Sequence, residues 1–156
     1  MEESIDTKTD VNKEISGELA KILADEYVLY NKTRHAQWHI DGVEYYSVHK
    51  TFETQFERLE NFISRIAKRI GLFGHYVPTP SPSFLAIAHL KDGENNKTEC
   101  KELLKELLAD HKTLIETLNG YIHHFSEECN ATETSDFIDE LKKDHEKIAG
   151  LIQSHL

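Results

Sequence analysis

The chain is predicted to be all-α, a four-helix bundle, and three observations predict it. Four long segments repeat their apolar residues every three or four positions, and none sustains the alternation of a strand. The connections between those segments are short, then long, then short. Glycines, amides and hydroxyls fall where such helices have to end.

The first helix is predicted from about Val11 to Trp38, with Val11, Ile15, Leu19, Ile22, Tyr27 and Tyr30 along its apolar face. The second has the cleanest period, stepping through Tyr45, Val48, Phe52, Phe56, Leu59, Ile63, Ile66 and Ile70. Asp41-Gly42 separates these two helices, and Gly71 with Gly74 closes the second, because glycine takes the left-handed backbone that ends a helix. The third helix spans about Lys97 to Glu128, through Leu104, Leu107, His111, Leu114, Leu118, Ile122 and Phe125. The fourth covers about Ser135 to His155, through Phe137, Leu141, His145, Ile148 and Ile152. Asn130 and the Thr132/Thr134 pair supply turn and N-cap oxygens ahead of it.

Short turns join helices one to two and three to four, so each of these pairs is an antiparallel hairpin. Between the second and third helices the connection runs from Phe73 to Asn96 and holds all three prolines, Pro78, Pro80 and Pro82. Helix connections in bundles usually take about 2–8 residues. One this long is expected to cross the bundle's length, with Ser83 to Leu90 as a short helix on the way. Two hairpins joined by one long crossover describe the ferritin-like four-helix bundle. Residues 11–156 are expected to form that domain, and residues 1–10 a flexible acidic tail with Glu2, Glu3, Asp6 and Asp10 against Lys8.

An apolar fraction of 38% with 29% charged residues suits a soluble, strongly helical protein. No apolar run approaches the roughly 18 residues of a membrane span, and the basic-then-apolar order of a signal peptide is missing. A cytoplasmic location is expected. Cys100 and Cys129 fit it: 29 residues apart on one predicted helix, they lie roughly 44 Å from each other and cannot pair. The sequence offers no CxxC for zinc. With 18 basic against 28 acidic residues the net charge is −10, which repels a phosphate backbone. Neither end is a polybasic arm, so direct nucleic-acid binding is not expected.

The candidate chemistry lies between Gln37 and Lys68. His49 and Glu53, four apart, share one helix face, as ligands of a transition metal would. Taking His49 as zero, Glu53 falls at about 40°, Glu57 at about 80°, Glu60 at about 20°, Ser64 at about 60° and Lys68 at about 100°. All six share a stripe on the flank of the apolar face. A site there faces a neighbouring subunit or an assembly interior more readily than the bundle's own core.

Here the chain resembles the Dps family, the miniature ferritins of bacteria, over about Ile15 to Leu156. The carriers are Gln37-Trp38-His39-Ile40-Asp41-Gly42, Tyr46 to Glu53, and Asn61-Phe62-Ile63-Ser64-Arg65-Ile66-Ala67-Lys68-Arg69-Ile70. Leu107-Leu108-Ala109-Asp110-His111 and the run from Thr134-Ser135-Asp136-Phe137 through His145-Glu146-Lys147 add to them, as does a short helix inside the long crossover. The resemblance implies a twelve-subunit hollow shell that takes up ferrous iron and removes peroxide, with a ferroxidase site between two subunits. In that family one subunit gives a His just before the Trp and a His at the position of His49. The other gives an Asp and a Glu from the second helix, and a carboxylate at the position of Glu53 assists.

Carried over by position, His49 and Glu53 are kept as metal ligands. Gln37 replaces the first His, Ser64 the bridging Asp, and Lys68 the Glu. A serine hydroxyl is a weak neutral ligand, and an ammonium group repels the ion. The usual centre is therefore expected to be degraded. Glu57 and Glu60 on the stripe, and His35 or His39 beside Gln37, are the residues placed to rescue it. Asp136 and Glu140, one turn apart, match the positions where the family lines its threefold pores. The acids just upstream are replaced by Ala131 and Thr132, with Glu133 displaced, so a weaker pore is expected.

Plainer roles stand beside these. His49 could only hydrogen-bond across an interface, and Lys68 could pair with Glu53 or Glu57 of another copy. His111 and His145 occupy apolar-stripe positions and read as satisfied core histidines; His123-His124 reads as surface, and Trp38 as a packing anchor. Asp136 and Glu140 could be solvated helix carboxylates. The leading expectation is an iron-binding and storing, Dps-like cage that protects against oxidative stress. The alternatives are a non-catalytic shell whose role is assembly, or a haemerythrin-like oxygen-binding bundle suggested by His35-x3-His39 and His49-x3-Glu53. Haemerythrin chemistry would need ligands on all four helices, and no His-x4-Asp pair occurs on the fourth.

Overall fold

The computed structural model describes residues 2–40, 42, 45–91 and 99–156, with side chains from residue 8 onward. Its helices are α1 (Glu2–His39), α2 (Tyr46–Leu72), α3 (Pro82–Leu85), α4 (Cys100–His123) and α5 (Thr132–Ser154), with a π-helical turn at His124–Glu128 after α4. No strand occurs among the described residues. α1 packs against α2 and α4 against α5 as the two hairpins, with α1 also on α4. No helix among the described residues is long and apolar enough to cross a membrane.

The core is built from the faces the period marks. α2 buries Val48, Phe52, Leu59, Phe62, Ile63, Ile66 and Ile70, and each large side chain removed from water contributes about 1.5–3 kcal/mol. Ile15, Leu19, Ile22, Leu23 and Leu29 of α1 meet Leu104, Leu107, Leu114 and Leu118 of α4 and Ile138, Leu141, Ile148 and Ile152 of α5 in one cluster. Gly42 at φ 109° and Gly74 at φ 78° bracket α2 in backbone that a side chain would strain.

Four expectations need correction. The first helix begins at Glu2 and not near Val11, in a stretch with no glycine or proline to stop it. The fourth helix begins at Ala131 as N-cap with no side-chain cap bond. Thr134 is instead buried, its hydroxyl oxygen accepting from Arg69 Nη2 at 3.3 Å. The short crossover helix is one turn, Pro82–Leu85, opened by Ser81, whose hydroxyl accepts the Phe84 N–H at 3.3 Å. Turn bonds follow it through Ala88, and beyond them buried Asp25 of α1 holds the segment, accepting from Leu90 N–H at 3.0 Å and bonding His89 Nδ1 at 2.8 Å. Trp38, the expected packing anchor, is 67% exposed. It points away from the core with the Arg34 guanidinium over its ring at 5.4 Å.

Polar contacts fix the remaining geometry. Lys32 of α1 reaches Asp110 at 2.6 Å and Glu106 at 3.1 Å on α4, and Lys91 O of the crossover at 3.0 Å. Arg65 and Arg69 of α2 lie over the Phe137 ring of α5 at 5.4 and 5.2 Å. Both cysteines are free, Cys100 buried and Cys129 half-buried. Asp41, Asn96 and Lys97, named above as boundaries, lie outside the described residues.

Candidate functional site

The end of α1 and the start of α2 form an open recess lined by Arg34, Gln37, Trp38, Ile40, His49, Glu53 and Phe56. Arg34 packs its guanidinium over Phe56 at 4.8 Å, which sets one wall. His49 and Glu53 present one imidazole and one carboxylate from successive turns, both half-buried, with Gln37 facing them from α1. Glu53 is engaged within its own helix: Lys50 Nζ donates to its Oε2 at 3.3 Å. That contact raises the Lys50 pKa. A cation at Glu53 competes with that ammonium group for the carboxylate.

The structure brings together Gln37, His49 and Glu53 only. Ser64 and Lys68 are exposed on the same helix, about 16 and 22 Å beyond Glu53 at 1.5 Å per residue. Within one chain they cannot share an ion with His49. Glu57 and Glu60 are likewise exposed on α2. His39 is not among the lining residues and lies against His35, ring centroids 4.3 Å apart and tilted by 48°. One chain therefore offers one carboxylate, one imidazole and an amide, too few for a ferrous ion unless a second chain contributes.

Asp136 and Glu140 are both exposed near the start of α5. Glu140 pairs with Arg65 Nη2 at 3.2 Å, and the same guanidinium reaches Asp144 at 3.7 Å. Half of the expected acidic pair is thus already neutralised within the chain.

His111 and His145 are fully buried, as their positions on the apolar stripe predict. What the period conceals is their partner, Glu26, in the apolar run of α1. His145 Nε2 bonds Glu26 Oε1 at 2.6 Å, and His145 Nδ1 bonds His111 Nδ1 at 3.0 Å. Burial raises the Glu26 pKa while His145 opposes the rise. Burial and the neighbouring His145 push His111 well below its ordinary value. Glu26 Oε2 and His111 Nε2 have no hydrogen-bond partner among the described residues. The satisfaction expected of these histidines is therefore incomplete. A charged residue interrupting an apolar face was the one available signal for Glu26.

A ferritin-like domain model of the Ferritin family matches residues 17–156. An uncharacterised low temperature-induced protein of Nostoc sp. is 31% identical over 134 residues, 86% of this chain and 75% of that protein. A DNA protection during starvation protein of Helicobacter pylori is 27% identical over 62% of this chain and 67% of its own length. Among solved structures, a Dps protein from Bacillus brevis superimposes with a TM-score of 0.85 at 19% identity, over 94% of this chain and 97% of that one.

Proposed function

The chain belongs to the ferritin-like family as a Dps-type member, and we propose that it assembles into a hollow shell that takes up ferrous iron and limits oxidative damage, with a weakened iron-oxidising centre. Iron storage and stress protection are the general work of that family. The observation that carries the reading is the recess itself: His49 and Glu53 side by side and open, with the rest of any ligand set out of reach on the same helix. Such a half-site makes sense where a second copy closes it. Iron enters there as substrate, held by the His49 imidazole and the Glu53 carboxylate. Gln37 adds a neutral amide. From the partner copy, Ser64 would add a neutral hydroxyl and Lys68 a repelling charge, so binding is weak and oxidation slow.

Self-assembly is supported by the large apolar side chains left open on one chain: Trp38 at 67%, Tyr46 at 64%, Leu72 at 80% and Tyr76 at 85% exposed. Twelve copies would give a particle of twelve times 18.0 kDa, which light scattering reads directly. A net charge of −10 opposes direct contact with nucleic acid.

The test mixes purified assembly with ferrous iron and peroxide, follows ferric absorbance, and then measures iron co-eluting with protein. We expect oxidation only modestly above buffer, and retained iron that falls in His49→Ala and Glu53→Ala. Protein that elutes iron-free with oxidation at the buffer rate would sink the iron reading. That outcome would leave the second reading, a shell whose role is assembly alone. One observation favours it: the Lys50 ammonium already occupies the Glu53 carboxylate.

A further inference from the structure

At the other end of α1 the chain gathers a different set of donors. The backbone after α4 widens into a π turn, closed by Cys129 N–H donating to His124 O at 3.1 Å. On a regular α-helix, residues five apart lie about 140° apart around the axis. The widened turn instead brings Cys129 under His124, with Cys129 Sγ 3.6 Å from His124 Nε2. Glu14 of α1 reaches the same nitrogen, its Oε1 at 2.9 Å. The donor atoms of Glu14, His124 and Cys129 all lie within 4.8 Å of one another. The other ring nitrogen, Nδ1, is held by Glu128 Oε2 at 2.6 Å.

We propose that Glu14, His124 and Cys129 form a mononuclear site for a divalent, thiolate-accepting cation of the zinc class. The spacing fits. With metal–sulfur near 2.3 Å and metal–nitrogen near 2.0–2.1 Å, a tetrahedral ion sets sulfur and nitrogen about 3.5 Å apart. The observed 3.6 Å already has that value. Glu14, half exposed, would move out from its 2.9 Å hydrogen bond to about 3.4 Å from His124 Nε2 and close on Cys129 Sγ, from which it lies within 4.8 Å. The fourth position faces solvent. The donor set excludes magnesium and calcium, which take oxygen ligands, and suits zinc, cobalt or copper.

Glu128 supplies the outer contact that metal-binding histidines use, a carboxylate on the far nitrogen that fixes the ring's orientation and its tautomer. With a carboxylate at each ring nitrogen, Glu128 at Nδ1 and Glu14 at Nε2, the ring presents its Nε2 proton to Glu14 in the position a cation would take. On binding, the ion takes the place of that Nε2 proton and of the Cys129 thiol proton, and both protons leave to solvent.

This site is separate from the recess at His49 and does not depend on the iron reading. Its test uses the reduced, metal-stripped full-length protein titrated with Co2+. We expect one ion per chain with a thiolate-to-cobalt charge-transfer absorption, bleached by Zn2+. Cys129→Ser should abolish that absorption, and Glu128→Gln should keep it while weakening affinity about 10–100-fold. His49→Ala should leave it unchanged. A measurement on unaltered protein runs beside these: saturating Zn2+ should protect Cys129 from alkylation, with buried Cys100 as the internal reference. Cobalt bound without a charge-transfer band, a band that survives Cys129→Ser, or Cys129 alkylated equally with and without Zn2+ would each overturn the proposal.

Discussion

The centre of the bundle and the outer stripe of α2 both carry histidine and glutamate, yet they use them in opposite ways. In the centre, Glu26, His145 and His111 come from α1, α5 and α4 and bond one another with no exposed surface. Their bonds are made within one chain, though Glu26 Oε2 and His111 Nε2 stay unpaired among the described residues, and low local dielectric makes each bond costly to lose. On the stripe, His49 and Glu53 sit half open beside Gln37, and their would-be partners Ser64 and Lys68 lie turns away. Screening by water makes those groups cheap to hold and cheap to change. The same two residue types therefore specify folding in one place and leave room for chemistry or assembly in the other.

The sharpest way to break this comparison is His145→Ala. Removing the partner of a fully buried carboxylate is expected to cost about 3–5 kcal/mol, read as a drop in the urea midpoint. His49→Ala should move that midpoint by no more than about 0.5 kcal/mol. Equal losses would end the distinction. Next in size, Ser64→Asp with Lys68→Glu should restore charge to the half-site. Initial ferrous oxidation is expected to rise at least tenfold, about 1.4 kcal/mol in barrier, with little change in stability.

The centre should also make stability depend on pH. His111 has a depressed folded pKa, so its contribution is fully present above its ordinary 6.5 and is lost as pH falls below it. The slope approaches about 1.4 kcal/mol per pH unit for one proton. Glu26 has a raised folded pKa and works in the other direction. Its contribution is present below the ordinary 4.5 and declines as pH rises through the folded value. Urea midpoints against pH should show the acid-side loss in the wild type and not in His111→Leu. Smallest of all, Lys50→Ala should leave the thermal midpoint unmoved while modestly tightening iron at Glu53, followed by equilibrium dialysis.

The four helices, both hairpins and the crossover were legible because each rests on an apolar period and on glycine punctuation. Asp25 was not, since nothing local shows that a carboxylate in α1 will hold the far end of the crossover at Leu90 and His89. Trp38 misled because an aromatic at a helix end fits a core or an open surface equally well in sequence; the structure exposes it. The His49–Glu53 pair was legible from spacing alone, whereas its isolation from Ser64 and Lys68 follows from helix length. His124 and Cys129 were invisible for a geometric reason. A reading at 100° per residue places them on different faces, and only the π turn brings them together.

That turn also constrains how the segment tolerates insertions and deletions. A π turn is one residue longer than the α-helical turn it replaces, so His124–Glu128 behaves as a lodged insertion. Removing one residue there would let the ladder close as a regular helix with the histidine and the cysteine four apart, about 40° from each other around the axis. Helix propensity alone would favour the shorter form. Related chains can thus be sorted by length at this point: those lacking the extra residue should keep the pairing of cysteine and histidine only where the two stand four apart.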